Sequence, residues 1–235
     1  MFVDTHCHLY KEYYDNIDEI IFDSVNNGIQ IMINNGCNFL SSCEVLESSR
    51  LYSNVYCAIG LHPGENLEEI DKVIELIKEN LLNKKMLAIG EIGLDYFYTK
   101  ENRLKQISVF EKQLVVAEKY NIPVIIHSRE ATSDTIEILK KYRVRGIIHC
   151  FSGSVEVAKE YIKMGFKLGI NGVVTYNNCK LIDTIKKIGI NNLVFETDCP
   201  YLTPVPYRGK KNIPKYIINI VDYLASNLNI SKEEL

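Results

Sequence analysis

All five histidines of the chain fall at or just past the ends of short apolar runs. His6 and His8 follow Met1-Phe2-Val3, His62 follows Val55–Gly60, His127 follows Pro123–Ile126, and His149 follows Gly146–Ile148. Two carboxylates end similar runs: Glu91 after Met86–Gly90, and Asp198 after Leu193–Thr197. Imidazole nitrogens and carboxylate oxygens are ligands for divalent cations, and side chains at the C-terminal ends of parallel strands converge at one mouth of a barrel. The chemistry these residue types suggest is therefore that of a metal centre. Residues two apart in a strand share a face, so His6 and His8 point the same way and can hold one ion. Asp4 lies deeper on that face, placed to orient an imidazole from behind. His127 and His149 offer donors for a second ion. A lone strand-end histidine is more often structural; two of them on neighbouring strands beside a His-x-His change that balance. Glu91 lies between the two sets and can bridge them, since a buried carboxylate with no partner is costly. Asp198 can complete the first set or take a proton from water. Each ion would then have imidazole and carboxylate ligands with positions left open, as catalytic sites require.

Ligands so far apart in sequence need elements that gather them. The chain alternates apolar runs with amphipathic segments. Strands are predicted at about 2–6, 29–33, 54–60, 86–91, 124–127, 146–149, 166–170 and 192–197. Helices are predicted over 13–28, from a capping box Ser41-x-x-Glu44 to about 51, through Leu67, Ile70, Ile74, Ile77 and Leu81, and near 100–120, 132–142, 154–164, 179–188 and 214–228. Apolar strands alternating with helices mean a parallel sheet covered by helices. Eight such units in 235 residues fit an α/β (β/α)8 TIM barrel occupying residues 1–235 as one domain. The alternative, an open doubly wound sheet, would not bring the ends of strands one, three, four, five, six and eight to a common mouth. Ser231-x-x-Glu234 is a second capping box just before Leu235, so a terminal helix is expected to begin there and be missing.

Bulk properties narrow the class further. Hydrophobic content of 46% and charged content of 24% are those of an ordinary globular chain. No apolar stretch approaches the roughly 20 residues of a membrane span, and the first residues lack a basic and apolar leader pattern, so a cytoplasmic location is expected. The formal charge of −3 gives no broad basic face for duplex DNA; a nucleic-acid substrate would be touched at few phosphates. Seven cysteines without a C-x-x-C pair argue against a disulfide framework or a zinc knuckle. Cys7, Cys150 and Cys199 neighbour candidate ligands, and alternation turns them to the opposite face, where they read as small buried apolar residues.

Six segments, in order, resemble the TatD family of metal-dependent deoxyribonucleases: Asp4-Thr5-His6-Cys7-His8, Gly60-Leu61-His62-Pro63, Ile89–Tyr96, Ile126-His127-Ser128-Arg129, His149–Gly153 and Glu196–Leu202. The tail Pro204–Asn212 is similar too. The resemblance implies a barrel hydrolase that cleaves nucleic-acid phosphodiesters, often from an end, with DNA single strands or ends as substrate. By matching position, His6, His8, Glu91 and Asp198 would hold one divalent ion (Mg2+, Mn2+ or Zn2+), and Glu91, His127 and His149 the other. Glu91, Asp198 and His62 would be catalytic, and His62, Arg129 and Arg208 would face substrate phosphate. Tyr96, Phe97 and Tyr98 are candidates for base stacking or for core packing. Cys199 stands where the family more often has Ser. No membrane and no obligate protein partner is implied, and no feature encodes an oligomeric state. A related barrel hydrolase cutting a small phosphoester, amide or aminoacyl ester is the nearest rival. Many of those bridge their metals with a carboxylated Lys, whereas here Glu91 holds the bridging position and no Lys ends strand four or five. A non-catalytic metal-binding scaffold predicts a lost ligand, and none of the six is missing.

Overall fold

The computed structural model describes residues 1–97 and 101–235. Its strands are β1 (Phe2–Cys7), β2 (Ile29–Asn35), β3 (Val55–Ile59), β4 (Met86–Asp95), β5 (Val124–Arg129), β6 (Gly146–Ile148), β7 (Lys167–Ile170) and β8 (Leu193–Phe195). Its helices are α1 (Ile17–Asn26), α2 (Phe39–Leu51), α3 (Ile70–Glu79), α4 (Arg103–Tyr120), α5 (Thr132–Leu139), α6 (Val155–Lys163), α7 (Leu181–Ile188) and α8 (Ile217–Leu228). The eight strands are parallel and lie side by side in chain order. The ring closes where Cys7 pairs with Cys199, the Asp198 N–H donates to the His6 carbonyl at 2.9 Å, and the His8 N–H donates to the Cys199 carbonyl at 2.8 Å. The fold is a (β/α)8 barrel, and the open-sheet alternative does not apply.

Strand ends converge because both faces of the ring are packed. Outside, the strands and helices share one large apolar cluster that includes Ile59, Ile89, Ile126, Phe110 and Leu114. Inside, Ile33, Ala58, Ala88 and Ile125 come from four successive strands and form a cluster of their own. By the two-residue period Ile125 lies one pleat beneath His127. Ala88 to Glu91 is an odd step, and the register shift of β4 against β5 between Ile89 and Ile92 turns Glu91 to the interior. The floor of the mouth is thus dry, and the polar groups stand directly on it.

Several boundaries differ from the sequence reading, each for a local reason. The first helix starts at Ile17, not 13, because the Asn16 side chain caps it by accepting the Glu19 N–H, while Tyr13 and Tyr14 turn back onto the Tyr10 carbonyl. Ser41 is not the cap of α2. Asn38 is, with Ser41 as the third residue of its capping box, and Glu44 instead accepts the Lys11 N–H at 2.8 Å. The segment from Leu67 opens as a 3-10 turn, Leu67–Glu69, before α3. The strand expected at 86–91 runs on to Asp95, and β8 stops at Phe195, leaving Glu196, Thr197 and Asp198 as an irregular stretch. The predicted helix near 100–120 begins at Arg103 within the described residues, and Tyr98 lies outside them. Ser231 does accept the Glu234 N–H, at 3.0 Å. All seven cysteines are free thiols. Among the described residues no helix is long and apolar enough to cross a membrane.

Candidate metal centre

The mouth gathers His6, His8, His62, Glu91, His127, His149 and Asp198. Glu91 lies at its middle and is almost wholly buried. Its two oxygens face different neighbours. Oε2 is 3.3 Å from His6 Nε2 and 3.8 Å from His8 Nε2. Oε1 is 2.8 Å from His127 Nδ1 and 3.8 Å from both His149 Nε2 and His62 Nε2. Asp198 Oδ1 lies 3.7, 3.5 and 3.6 Å from the Nε2 atoms of His6, His8 and His149. The His6 and His8 nitrogens are 3.1 Å apart, and the His6 ring stacks on His149 with centroids separated by 3.7 Å.

Most of the rings are set from behind. His8 Nδ1 is 3.0 Å from the Asn35 carbonyl and 3.1 Å from the Tyr10 hydroxyl. A ring N–H given to a carbonyl leaves the Nε2 lone pair aimed at the centre. His149 Nδ1 lies 2.9 Å from Glu196 Oε1, a charge pairing rather than an aligned hydrogen bond, and the same oxygen accepts the Cys150 N–H at 2.7 Å. His127 Nε2 is 3.0 Å from Asp95 Oδ2. His62 differs: its Nδ1 accepts the Gly64 N–H at 3.0 Å, so a neutral ring carries its hydrogen on Nε2.

Asp4 does not do what its position suggests. Its carboxylate accepts the backbone N–H groups of His6 and Thr197 at 3.2 and 2.9 Å, and the Thr197 hydroxyl at 2.6 Å. It ties β1 to the stretch beyond β8 and reaches no imidazole; His6 Nδ1 is buried with no partner among the described residues. An extended strand puts Asp4 one pleat below His6, too deep to meet the ring.

The electrostatics follow from the crowding. Burial alone would raise the Glu91 carboxyl, but His6, His149 and His62, with the hydrogen bond to His127, hold it well below the usual range. Burial and the opposing His149 and His8 act likewise on Asp198, which is also lowered. Burial opposes charge on His149 too, yet Glu196, Glu91 and Asp198 push it up to about 10. Burial wins at His62, which falls to about 4. Ring nitrogens and ionised carboxylate oxygens aimed into one volume are the donor set of a divalent-cation site, and the donor atoms of His6, His8 and Asp198 all lie within 4.8 Å of one another.

The arginines are held on aromatic rings. Arg129, exposed at the end of β5, has its guanidinium 3.8 Å from the centre of the Phe97 ring, and Arg208, exposed in the loop after β8, lies 4.2 Å from that of Tyr176. Tyr96 is buried and donates its hydroxyl to Asp134 at 2.6 Å, which leaves it no part in stacking a base. Asp95, Glu196, Asn35, Tyr10 and Cys37 join the site without having been expected there. Asp95 follows Glu91 by four residues, so strand parity along β4 would have found it, whereas Glu196 lies past the end of β8, where the two-residue period no longer holds. Cys37, with its sulfur 3.8 Å from His8 Nδ1, carried no such signal.

A family model described as TatD related DNase matches residues 3–235. The chain belongs to the TatD family. Over 240 aligned residues it is 38% identical to the uncharacterized metal-dependent hydrolase YabD of Bacillus subtilis strain 168, covering 100% of this chain and 94% of that protein. The crystal structure of YjjV, a TatD homologue from Escherichia coli K12, matches with a TM-score of 0.87 at 30% identity, over 99% of this chain and 92% of that one. A TatD family hydrolase from Entamoeba histolytica matches with a TM-score of 0.84 at 26% identity, over 99% and 93%. The protein is thus a TatD-family metal-dependent hydrolase, and the buried donor cluster is where this TatD chain has the groups to hold divalent metal.

Proposed function

We propose that this chain hydrolyses phosphodiester bonds of nucleic acid, DNA single strands or ends, at two divalent cations whose donor sets share Glu91. The observation that carries the reading is the division of that carboxylate, with Oε2 toward His6 and His8 and Oε1 toward His127, His149 and His62. His6, His8, Glu91 and Asp198 would hold one ion, and Glu91, His127 and His149 the other; such donors accept Mg2+, Mn2+ or Zn2+. When bound, a pair of this kind supplies Lewis acidity at a phosphoryl oxygen and brings the pKa of water toward neutrality.

The chain's own groups divide the remaining work. Asp198, kept ionised by the rings around it, accepts the proton of the attacking water. His62 is neutral and turns Nε2–H toward the centre, a hydrogen-bond donor for a phosphate oxygen. Arg129 and Arg208 bring positive charge to the rim, where guanidinium can clamp two oxygens. The family description as a DNase supports nucleic acid over other esters. The test is to strip metal with a chelator, reload with Mg2+, Mn2+ or Zn2+, and follow a labelled oligonucleotide. The chelated protein is expected to be inactive, and Asp198→Asn to lower kcat by roughly 10²- to 10⁴-fold. Cleavage without metal, or full activity in Asp198→Asn or Glu91→Ala, would overturn the reading.

A further inference from the structure

Beside the donor cluster stands an aromatic group that the proposed chemistry does not use. Tyr201, three residues past Asp198, is 50% exposed. Its ring lies 6.5 Å from that of His8 and 5.9 Å from that of Tyr13, at interplanar angles of 67° and 73°. Tyr13 in turn stacks on Tyr10, which touches His8. The Tyr201 and Tyr13 hydroxyls are hydrogen-bonded at 3.0 Å. The pair spans two loops that neighbour each other round the mouth, those after β1 and β8.

Three features separate Tyr201 from ordinary loop packing. Its backbone is already fixed without the ring: its N–H donates to the Asp198 carbonyl at 2.8 Å, and Asn212 Nδ2 donates to the Tyr201 carbonyl at 2.6 Å and to that of Thr197 at 2.8 Å. Second, the faces of other mouth aromatics are occupied, Phe97 by Arg129 and Tyr176 by Arg208. Among the described residues no ring or cation lies flat on Tyr201, since both its ring contacts are steeply crossed. Third, the ring is held in one orientation by the Tyr13 hydroxyl, so little freedom remains to be lost when a flat group settles on it.

We propose that the Tyr13–Tyr201 pair is a stacking platform for a nucleobase whose phosphate lies at the donor cluster, so that the protein selects phosphoesters carrying a planar aromatic base. The inference rests on the nucleic-acid reading above and names the part of the substrate that Tyr201 recognises. Every base offers a π-face, so the platform favours a base over none without reading its identity. The spacing between Tyr201 and His8 is one that the sugar between a base and its phosphate can span.

The experiment compares binding of thymidine 5′-monophosphate and of 2-deoxyribose 5-phosphate, which lacks the base, to the Mn2+-loaded protein by calorimetric titration. The wild type is expected to hold the nucleotide about 5- to 150-fold more tightly, the range that base–aromatic stacking covers on alanine substitution. Tyr201→Ala is expected to bring the ratio close to one, with deoxyribose 5-phosphate bound as before. Tyr201→Phe keeps the π-face but loses the hydroxyl that orients it toward Tyr13, so its ratio is expected to fall below that of the wild type and stay above that of Tyr201→Leu. Tyr201→Leu preserves apolar bulk without a π-face and loses it, which separates stacking from a loop that has merely collapsed. A wild-type ratio of one, or a ratio unchanged in Tyr201→Leu, overturns the platform. Oligonucleotide cleavage by the same wild-type sample is followed in parallel. Cleavage without base preference removes the platform and leaves the nuclease reading; a base preference lost in the variants, with no cleavage, removes the nuclease reading and keeps the platform.

Discussion

Glu196 is a fully buried carboxylate whose work is done through another residue: it faces His149 Nδ1 and thereby turns His149 Nε2 to the centre. Room for it comes from Gly169, where a Cβ would stand 2.3 Å from Glu196 Oε2. Glu196→Gln keeps an oxygen for the Cys150 N–H but removes the charge opposite the ring. The expected result is a fold that melts cooperatively with Mn2+ or Zn2+ affinity about 10- to 100-fold lower, the usual cost of losing a partner behind a metal-binding imidazole. Unchanged affinity in a metal titration would show that the ring needs no such support. Protonation gives a second expectation. His149 is pushed up to about 10 against an ordinary 6.5 by Glu196, Glu91 and Asp198 despite burial, so in the metal-free protein it is charged at pH 7. A folded value above the unfolded one means this charge stabilises the metal-free fold fully below about pH 6.5, and the contribution is lost as pH rises to about 10. A cation held by His149, as proposed, must displace the same proton. Metal affinity should therefore rise with pH, and titration at pH 7 in two buffers of different ionisation enthalpy should report about one proton released per chain or more; none released would contradict it. The residues aimed at the centre were legible in the sequence because each ends an apolar run. Those behind them, Asn35, Tyr10 and Cys37, were not, because their roles depend on which strand lies next to β1.

Helix α4 shows how an element secures the site without entering it. Gln106 and Gln113 are seven residues apart, two turns on one face, and both are buried. Gln106 accepts the Asp95 N–H at 2.9 Å and donates to the Asp95 carbonyl at 2.8 Å. Gln113 does the same for Leu61, at 2.8 and 3.1 Å. One helix thus pins the mouth end of β4, where Asp95 meets His127, and the residue before His62. Gln113→Leu keeps the volume but strands a buried N–H and carbonyl, each costing about 1–3 kcal/mol. For a chain of this size that predicts a melting temperature lower by roughly 5 °C or more, measured by calorimetry, whereas Leu104→Ala, at a side chain that is 82% exposed on the same helix, should leave it within about 2 °C. Equal shifts in the two variants would refute the clamp. The number, order and type of elements could be read from the alternation of apolar runs with helical periodicity. Their ends could not. Asn38 outranks Ser41 as a cap through a hydrogen bond that pattern alone does not rank, and β4 outruns its apolar core because Gln106, distant in sequence, satisfies its last residue.

The whole molecule sets how the proposed nucleic-acid substrate can approach. Donors come from β1, β4, β5, β6 and the stretch beyond β8, so the centre exists only in the closed ring, and Asp4 holding Thr197 across the seam is part of the closure. The chain is acidic overall, with a formal charge of −3, and its mouth carries buried carboxylates. Positive charge on the loops flanking β5 and β8 is confined to Arg129, Arg208, Lys210 and Lys211, and Lys211 already donates to the Tyr13 carbonyl. On the proposed function, a strand bound there would be held by the donor cluster, a few cations and the aromatic rim, not by a long basic track. Counterion release then has little to act on. For single strands log K falls with log salt by about 0.7 per phosphate neutralised, so contact with one to three phosphates predicts a slope between about −0.7 and −2. The measurement is the affinity of an oligonucleotide for the metal-loaded Asp198→Asn variant across a KCl series, with free metal fixed. A slope steeper than about −4 would require roughly six phosphates. It would mean that the strand is gripped by an extended surface away from the mouth, and the substrate would have to be a long polymer rather than the end of one.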